Sequence, residues 1–95
     1  MRINGNNFGQ IIGQIKKIEK TETKSGLEIT TLTLEVRDKT KPTTNYVKIY
    51  NDPYGENLYV DQWIQCITHV TQRTHKGTIY TDIIVDSIVF LPKNE

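Results

Sequence analysis

Hydrophobic and polar side chains alternate along most of this chain with a period of two, which is the pattern of β-strands that bury one face. The alternation is clearest in the second segment, where Leu32, Leu34 and Val36 are separated by threonine and glutamate. In the third segment, Val47 and Ile49 share one face, and polar or aromatic side chains occupy the other. The pattern predicts five strands, at residues 8–18, 27–37, 44–51, 63–72 and 79–90.

The segments between these strands carry turn and helix-start signals. The polar run at 19–26 predicts a turn, and a tight hairpin is expected at 73–77. Asp52 and Pro53 have the residue types of a helix start, with aspartate as the cap and proline at the first helical position. This helix is expected to end by Tyr59, because the next strand follows closely.

The order of elements is three strands, a short helix and two strands, within a chain of 95 residues that has room for one domain. We therefore predict an all-β fold, a five-stranded OB-fold barrel with a short helix or turn between strands 3 and 4. A simple antiparallel sheet with one helix is the alternative. Residues 1–95 are expected to form a single domain, with a core at 7–91 and flexible ends at 1–6 and 92–95.

The formal net charge is +1, which argues against binding nucleic acid by bulk positive charge alone. The charge is uneven, however. Residues 1–51 carry nine Lys/Arg and five Asp/Glu, a balance of +4, whereas residues 52–72 carry three acidic residues and no Lys or Arg. Residues 73–95 carry three of each sign. A chain that is nearly neutral can therefore still present a basic face.

Several classes of protein are not expected from this sequence. No run of about 18 apolar residues is present, so we expect no membrane contact, and the N-terminus lacks the apolar run of a signal peptide. A single cysteine, Cys66, cannot form an internal disulfide and fits a reducing compartment, so a cytoplasmic location is expected. Cys66, His69 and His75 lack the number and spacing of zinc ligands, and no glycine-rich phosphate loop is present. We expect no enzyme activity, metal or cofactor.

The third strand carries a row of side chains that suits single-stranded nucleic acid. Tyr46, Lys48 and Tyr50 are spaced by two and point from the same face, opposite Val47 and Ile49. Bases can stack on such rings while the ammonium group meets a phosphate. The alternative is that both tyrosines cover the rim of a core or a contact between subunits.

Polar and basic residues on neighbouring strands and loops extend this row in a closed barrel. Trp63 has the parity of an outward-facing residue, for which an interface is the first interpretation and a base contact the second. The candidate nucleic-acid-binding residues are Gln14, Lys16, Thr31, Thr33, Arg37, Lys39, Lys41, Tyr46, Lys48, Tyr50, Tyr54, Arg73 and Lys76.

The sequence resembles the bacterial and phage single-stranded DNA-binding proteins over residues 7–92. The stretches that carry the resemblance are IIGQI at 11–15, TLTLEV at 31–36, the segment 50–58 ending in ENL, VTQR at 70–73 and YTDIIVDSI at 80–88. In the family the similar stretches read LIGRL, NFTLAV, VW…AENL, LQTR and YxTEVVADSV. Each could be any alternating strand by itself, but their order and spacing together are specific.

The resemblance implies an OB fold that assembles into dimers or tetramers and binds single-stranded DNA with little sequence preference. By position, Tyr50 corresponds to a stacking tryptophan, and Tyr54 to an aromatic at the start of the helix region in some members. The alignment between 45 and 54 can shift by one residue, so Tyr46 and Tyr50 remain alternatives for the stacking position. The strand positions that face DNA in the family correspond here to Gln14, Thr33 and Arg73.

This chain departs from the family in three places. The expected helix is short, and the hairpin at 75–77 is clipped where the family often has a longer loop that wraps DNA. The chain ends at Glu95 without the flexible tail whose acidic-hydrophobic tip recruits partner enzymes in cellular members. This ending would fit a primosomal replication protein, a phage or mobile-element version, or a shortened chain.

Three functions therefore remain open at the level of sequence. The first is binding of single-stranded DNA in replication, recombination or repair by a homo-oligomer. The second is a primosome-like OB adaptor that binds replication proteins, which the acidic segment 52–61 and the low net charge suggest. The third is an RNA-binding OB module.

Overall fold

The computed structural model describes residues 8–37 and 41–92. The elements are β1 (Phe8–Glu22), β2 (Glu28–Arg37), β3 (Pro42–Tyr50), a 3₁₀ turn (Gly55–Asn57), β4 (Trp63–His75) and β5 (Thr78–Phe90). The predicted all-β fold, with a short helix or turn between strands 3 and 4, is confirmed. No helix in the described ranges is long and apolar enough to span a membrane.

The five strands close into a barrel in the order β1-β2-β3-β5-β4. Strands β3 and β5 run parallel where Lys48 lies opposite Ile84, and the other four neighbouring pairs are antiparallel. Because β3 pairs with β5, the sheet has no open edge between them. The open antiparallel sheet, the alternative fold, is therefore wrong.

The barrel interior is filled by aliphatic side chains at the positions that the alternation selects. Ile15, Leu32, Leu34, Val47 and Ile64 are fully buried, which confirms the apolar faces assigned to the second and third strands. Each such side chain stabilises the fold by about 1.5–3 kcal/mol relative to an exposed position.

The single cysteine belongs to this core. Cys66 is fully buried, and burial raises the pKa of its thiol to about 12. The thiol therefore stays protonated at neutral pH and behaves as a small apolar side chain rather than as a nucleophile.

Strand β1 ends at Glu22, beyond the predicted limit at residue 18, because its backbone continues to pair with β2 after the apolar alternation ends. A β-bulge between Ile15 and Lys17 also shifts its register. As a result Lys16 and Lys17 are both exposed, and Lys17 rather than Lys16 lies opposite Thr33. The sequence pattern could not show this change of face.

Gly13 lies at a close approach of β1 to β2. A Cβ atom at this position would lie 2.9 Å from the carbonyl oxygen of Glu35 and 3.3 Å from Cγ2 of Val36. Since the nearer atom belongs to the backbone, a larger residue would have to move one of the two strands. The absence of a side chain thus sets how closely these strands pair.

Strands β4 and β5 are joined by a two-residue turn at Lys76 and Gly77. Their φ angles of 53° and 80° are those of a type I′ turn, whose twist matches that of the two strands. The hairpin is therefore tighter than the predicted one at 73–77, and β4 continues to His75.

This extension of β4 changes the position of one candidate. Arg73, which was expected in a loop, lies within β4 and opposite Tyr80 on β5. All side chains of residues 71–81 are exposed, so this end of the hairpin extends from the barrel. We call residues 71–81 the β4–β5 arm.

The connection between β3 and β4 contains the only helical segment of the described residues, a single 3₁₀ turn. The prediction that Asp52 caps this segment is wrong, because Tyr54 is at the N-cap and no side chain caps the turn. Oδ1 of Asp52 instead accepts a hydrogen bond from the amide of Tyr54 at 2.7 Å, just before the turn. After the turn, Leu58 is buried against the core. Because β4 begins at Trp63, no length is left for a longer helix after Leu58.

Candidate nucleic-acid interface

A row of aromatic and basic side chains lies on the outer face of β3. Tyr46 and Tyr50 are 64% and 40% exposed, and Lys48 lies between them. On β2, Thr33 lies opposite Tyr46 and Thr31 lies opposite Lys48, so hydroxyl groups flank the row. We call these five residues the tyrosine face. Its outward orientation, predicted from alternation, is confirmed.

Basic residues lie at one end of this face. Arg37 ends β2 opposite Pro42, and Lys41 directly precedes β3, with both side chains exposed. Because β3 begins at this end, the two cations lie on the side of Tyr46. Lys39 lies outside the described residues, and Lys76 is exposed at the tip of the β4–β5 arm.

Two of the side chains expected to bind phosphate, Lys48 and Arg73, are already paired with a carboxylate. Nζ of Lys48 donates to Oδ1 of Asp82 at 3.0 Å, and Nε of Arg73 donates to Oδ2 at 3.0 Å. The Arg73 guanidinium also lies over the ring of Tyr80, 4.7 Å from its centroid, in a cation–π contact. We call these four residues the Asp82 cluster. It joins β3, β4 and β5 beside the tyrosine face.

The carboxylate of Asp82 is held in its charged form. The hydrogen bond from Lys48 is the largest cause that lowers its pKa, and Arg73 lowers it further, against an opposing effect of desolvation. Asp82 is therefore ionised at neutral pH and neutralises one of its two cationic partners.

The two candidates on β1 contact the segment that precedes β4. Nε2 of Gln14 donates to the carbonyl oxygen of Asp61 at 3.0 Å. Nζ of Lys16 lies 3.9 Å from Oε1 of Glu35 and 3.8 Å from Oδ1 of Asp61. Strand β2 lies between these side chains and β3. The structure therefore does not bring Gln14 or Lys16 next to the tyrosine row.

Tyr54 also lies away from the tyrosine face. Its ring is half-buried against the core and meets Phe90 edge to face, with centroids 5.7 Å apart and ring planes at 81°. Its hydroxyl oxygen accepts a hydrogen bond from the amide of Ile88 at 3.0 Å. The ring thus joins the 3₁₀ turn to the end of β5 and is not displayed alongside Tyr46 and Tyr50.

The outer side chains around the pairing of Ile12, Gln65 and Val89 on β1, β4 and β5 form a second surface, whose members carry no charge. Ile12, Gln65 and Val89 make a row across the three strands, and Ile12 and Val89 are 46% and 50% exposed. Nε2 of Gln65 donates to Oε1 of Gln10 at 2.7 Å. We call this surface the uncharged face. Its members are Gln10, Ile12, Gln14, Trp63, Gln65, Ile67, Ser87 and Val89.

Trp63 lies at the end of this uncharged face, opposite Gln14 on β1. It is half-buried outside the core, as its parity predicts. With Tyr59, Val60 and Leu91 it lines a groove of about 210 Å³. The tryptophan is therefore near the uncharged face and not in the tyrosine row.

A histidine–carboxylate pair lies on the outer side of β4 and β5, where Nδ1 of His69 is 2.8 Å from Oδ1 of Asp86. Within residues 8–37 and 41–92, no group of three or more His, Cys, Asp or Glu side chains is placed to hold a metal ion. This pair is therefore one side-chain hydrogen-bond contact between neighbouring strands.

Tyr80 and Asp82 are absent from the sequence-based candidates although they border the tyrosine face. Their spacing of two indicates that they share a face of β5. However, their proximity to Lys48 depends on the parallel pairing of β3 with β5, and no local sequence pattern predicts that pairing. The extent of β4 was also not predicted: the strand ends at His75 rather than before Arg73, which places Arg73 beside β5.

Solved structures with a similar fold include the following two. The dimeric N-terminal domain of PriB from Thermoanaerobacter tencongensis has a TM-score of 0.74 at 18% identity, covering 93% of this chain and 99% of that one. The mitochondrial single-stranded DNA-binding protein Rim1 from S. cerevisiae has a TM-score of 0.75 at 10% identity, covering 92% and 97%. This chain has an OB fold. No family model and no curated protein matches the sequence.

Replacing Tyr54 tests its structural role. The variant Tyr54→Phe keeps the ring but leaves the Ile88 amide without its acceptor, so we expect the free energy of unfolding in urea to fall by about 1 kcal/mol. Affinity for a labelled oligo-dT, measured by fluorescence anisotropy, should not change. Weaker binding with unchanged stability would instead place Tyr54 in the interface.

Proposed function

We propose that this protein binds single-stranded DNA with little sequence preference, in replication, recombination or repair. The observation that carries the proposal is the tyrosine face, with two exposed rings separated by a lysine on β3. In OB folds the face of strands 2 and 3 is the surface that takes oligonucleotides. The similar structure of Rim1, described as a mitochondrial single-stranded DNA-binding protein, supports the same interpretation.

In this proposal each group has a role that follows from its chemistry. Tyr46 and Tyr50 stack on bases, and each stacked base contributes about 1–3 kcal/mol. The hydroxyl groups of Thr31 and Thr33 both donate and accept hydrogen bonds, so they accommodate different bases or phosphate oxygens. Phosphates are bound by basic groups at the edges of the face. The described candidates for that role are Arg37, Lys41, Lys48, Arg73 and Lys76.

This division of roles accounts for the low net charge. Stacking does not depend on charge, whereas each phosphate contact releases counterions and makes the affinity dependent on salt. The sequence preference is weak because every base offers a π-face to a tyrosine ring. A face with two rings and few unpaired cations should therefore bind with modest affinity per subunit.

A second copy of this chain is the partner that we propose for the uncharged face. A two-fold contact places the same surface on both subunits, so like charges would repel each other, and this surface has none. Its exposed Ile12 and Val89 can be buried between copies, and Gln10 and Gln65 can exchange hydrogen bonds. The similar PriB domain is described as dimeric. A homo-oligomer would present several tyrosine faces to one strand and so raise its affinity.

The stacking role is tested by the variants Tyr46→Ala and Tyr50→Ala. Each should weaken binding to oligo-dT by about 1–3 kcal/mol, the loss of one stacked base, while changing the salt dependence little. Fluorescence anisotropy over a range of salt concentrations measures both quantities. Tyr59→Ala is the matched control, because Tyr59 is 59% exposed but lies outside the tyrosine face.

Failure of the wild-type protein to bind oligo-dT at low salt would contradict the proposal. If only Tyr59→Ala weakened binding, the interface would lie at the groove beside Trp63 instead. Oligo-U of the same length and duplex DNA serve as competitors. Preferential displacement by oligo-U would favour the RNA-binding alternative.

The assembly is tested by placing a charge in the uncharged face. Ile12→Arg brings two like charges together across a two-fold contact, so light scattering should show a shift from dimer or tetramer towards monomer. Ile79→Arg is the control, since Ile79 is 65% exposed on the β4–β5 arm. An assembly that resists Ile12→Arg and dissociates with Ile79→Arg would place the contact on the arm.

A further inference from the structure

The Asp82 cluster places a carboxylate where two strands of the proposed interface present their cations. Each oxygen of Asp82 accepts one hydrogen bond, from Lys48 on β3 and from Arg73 on β4, both at 3.0 Å. The carboxylate therefore takes up both cations at once, as a phosphate with two free oxygens can do.

The exposures of the three charged side chains show that this arrangement remains open to solvent. The side chain of Asp82 is 11% exposed, whereas those of Lys48 and Arg73 are 29% and 55% exposed. Lys48 engages Asp82 through one of its three N–H bonds, and Arg73 through Nε alone among its five N–H donors. The remaining donors can meet an anion from the solvent side.

The net charge of the cluster is reduced by its own carboxylate. Two cations and one carboxylate sum to +1, instead of the +2 that Lys48 and Arg73 would present alone. Asp82 remains ionised at neutral pH because both cations stabilise its charged form. At neutral pH, Asp82 therefore always presents a negative charge to an approaching phosphate.

From this geometry we infer that Asp82 competes with a DNA phosphate for Lys48 and Arg73 and thereby limits the affinity of the interface. The inference rests on the proposed binding of single-stranded DNA and assigns to that site a residue that weakens it. An incoming phosphate shares the cations with Asp82 and meets its negative charge at short range. Asp82 thus lowers the charge available for counterion release without removing either cation from the face.

The variant Asp82→Asn tests this inference directly. It removes the competing charge and retains a side chain of the same size, so binding to oligo-dT at low salt should tighten by about threefold to tenfold. The plot of log affinity against log salt should steepen by about 0.7, the value of one more neutralised phosphate on a single strand. Both are measured by fluorescence anisotropy.

Asp86→Asn is the matched control for this change. Asp86 lies on the same strand, pairs with His69 and contacts neither Lys48 nor Arg73, yet its replacement alters the net charge equally. We expect a smaller gain in affinity from Asp86→Asn. Equal gains from both variants would assign the effect to net charge and overturn the inference. Weaker binding by Asp82→Asn would also overturn it, because Asp82 would then be a positioning residue for its cations.

A measurement on the wild-type protein covers the case in which Asp82→Asn does not fold. The carboxyl-carbon NMR signal of Asp82 should shift when oligo-dT is added, while that of Asp86 should not. An unchanged Asp82 signal in protein saturated with DNA overturns the inference. If wild-type protein does not bind oligo-dT at all, the proposed function fails instead, so the two failures are distinguishable.

Discussion

The parallel pairing of β3 with β5 is the contact on which the rest of the structure depends. It closes the barrel, so that aliphatic side chains fill one interior and polar and aromatic side chains turn outwards. The same pairing sets Lys48 opposite Ile84 and so brings Lys48 within hydrogen-bonding distance of Asp82. The core and the charge pattern of the proposed interface are therefore two consequences of one strand pairing.

The closed barrel separates two surfaces with different chemistry. On the side of β2 and β3, exposed rings, hydroxyl groups and cations suit a polyanion with unstacked bases. On the side of β1 and β4, an uncharged surface of glutamine and aliphatic side chains suits a copy of itself. Because these surfaces lie on different strand pairs, a second subunit on one need not cover the other. A chain with a net charge of +1 can thus combine assembly with nucleic-acid binding.

The sequence predicts those features that depend on alternation alone. The outward rings of Tyr46 and Tyr50 and the buried Leu32 and Leu34 follow from the period of two, because one face of each strand is apolar. The bulge after Ile15 does not follow from this period, because the residue types at this point do not indicate an inserted residue.

Candidates were less predictable where their positions depend on tertiary contacts. Tyr54 looks like an exposed turn residue beside Pro53, yet its hydroxyl oxygen accepts a hydrogen bond from the amide of Ile88 on β5. From the sequence, Lys48 and Arg73 look like free cations, because the partner they share is distant from Lys48 along the chain. Such pairs are fixed by which strands become neighbours, and that is decided by the barrel as a whole.

We propose that single-stranded DNA lies along the outer face of β2 and β3. Mapping of backbone amide chemical shifts in isotope-labelled protein during titration with oligo-dT tests it most directly. The largest changes are predicted at Thr31, Thr33, Tyr46 and Tyr50, with little change on the uncharged face. Changes centred on the uncharged face, or no changes at saturating concentrations of oligo-dT, would contradict this placement of the DNA.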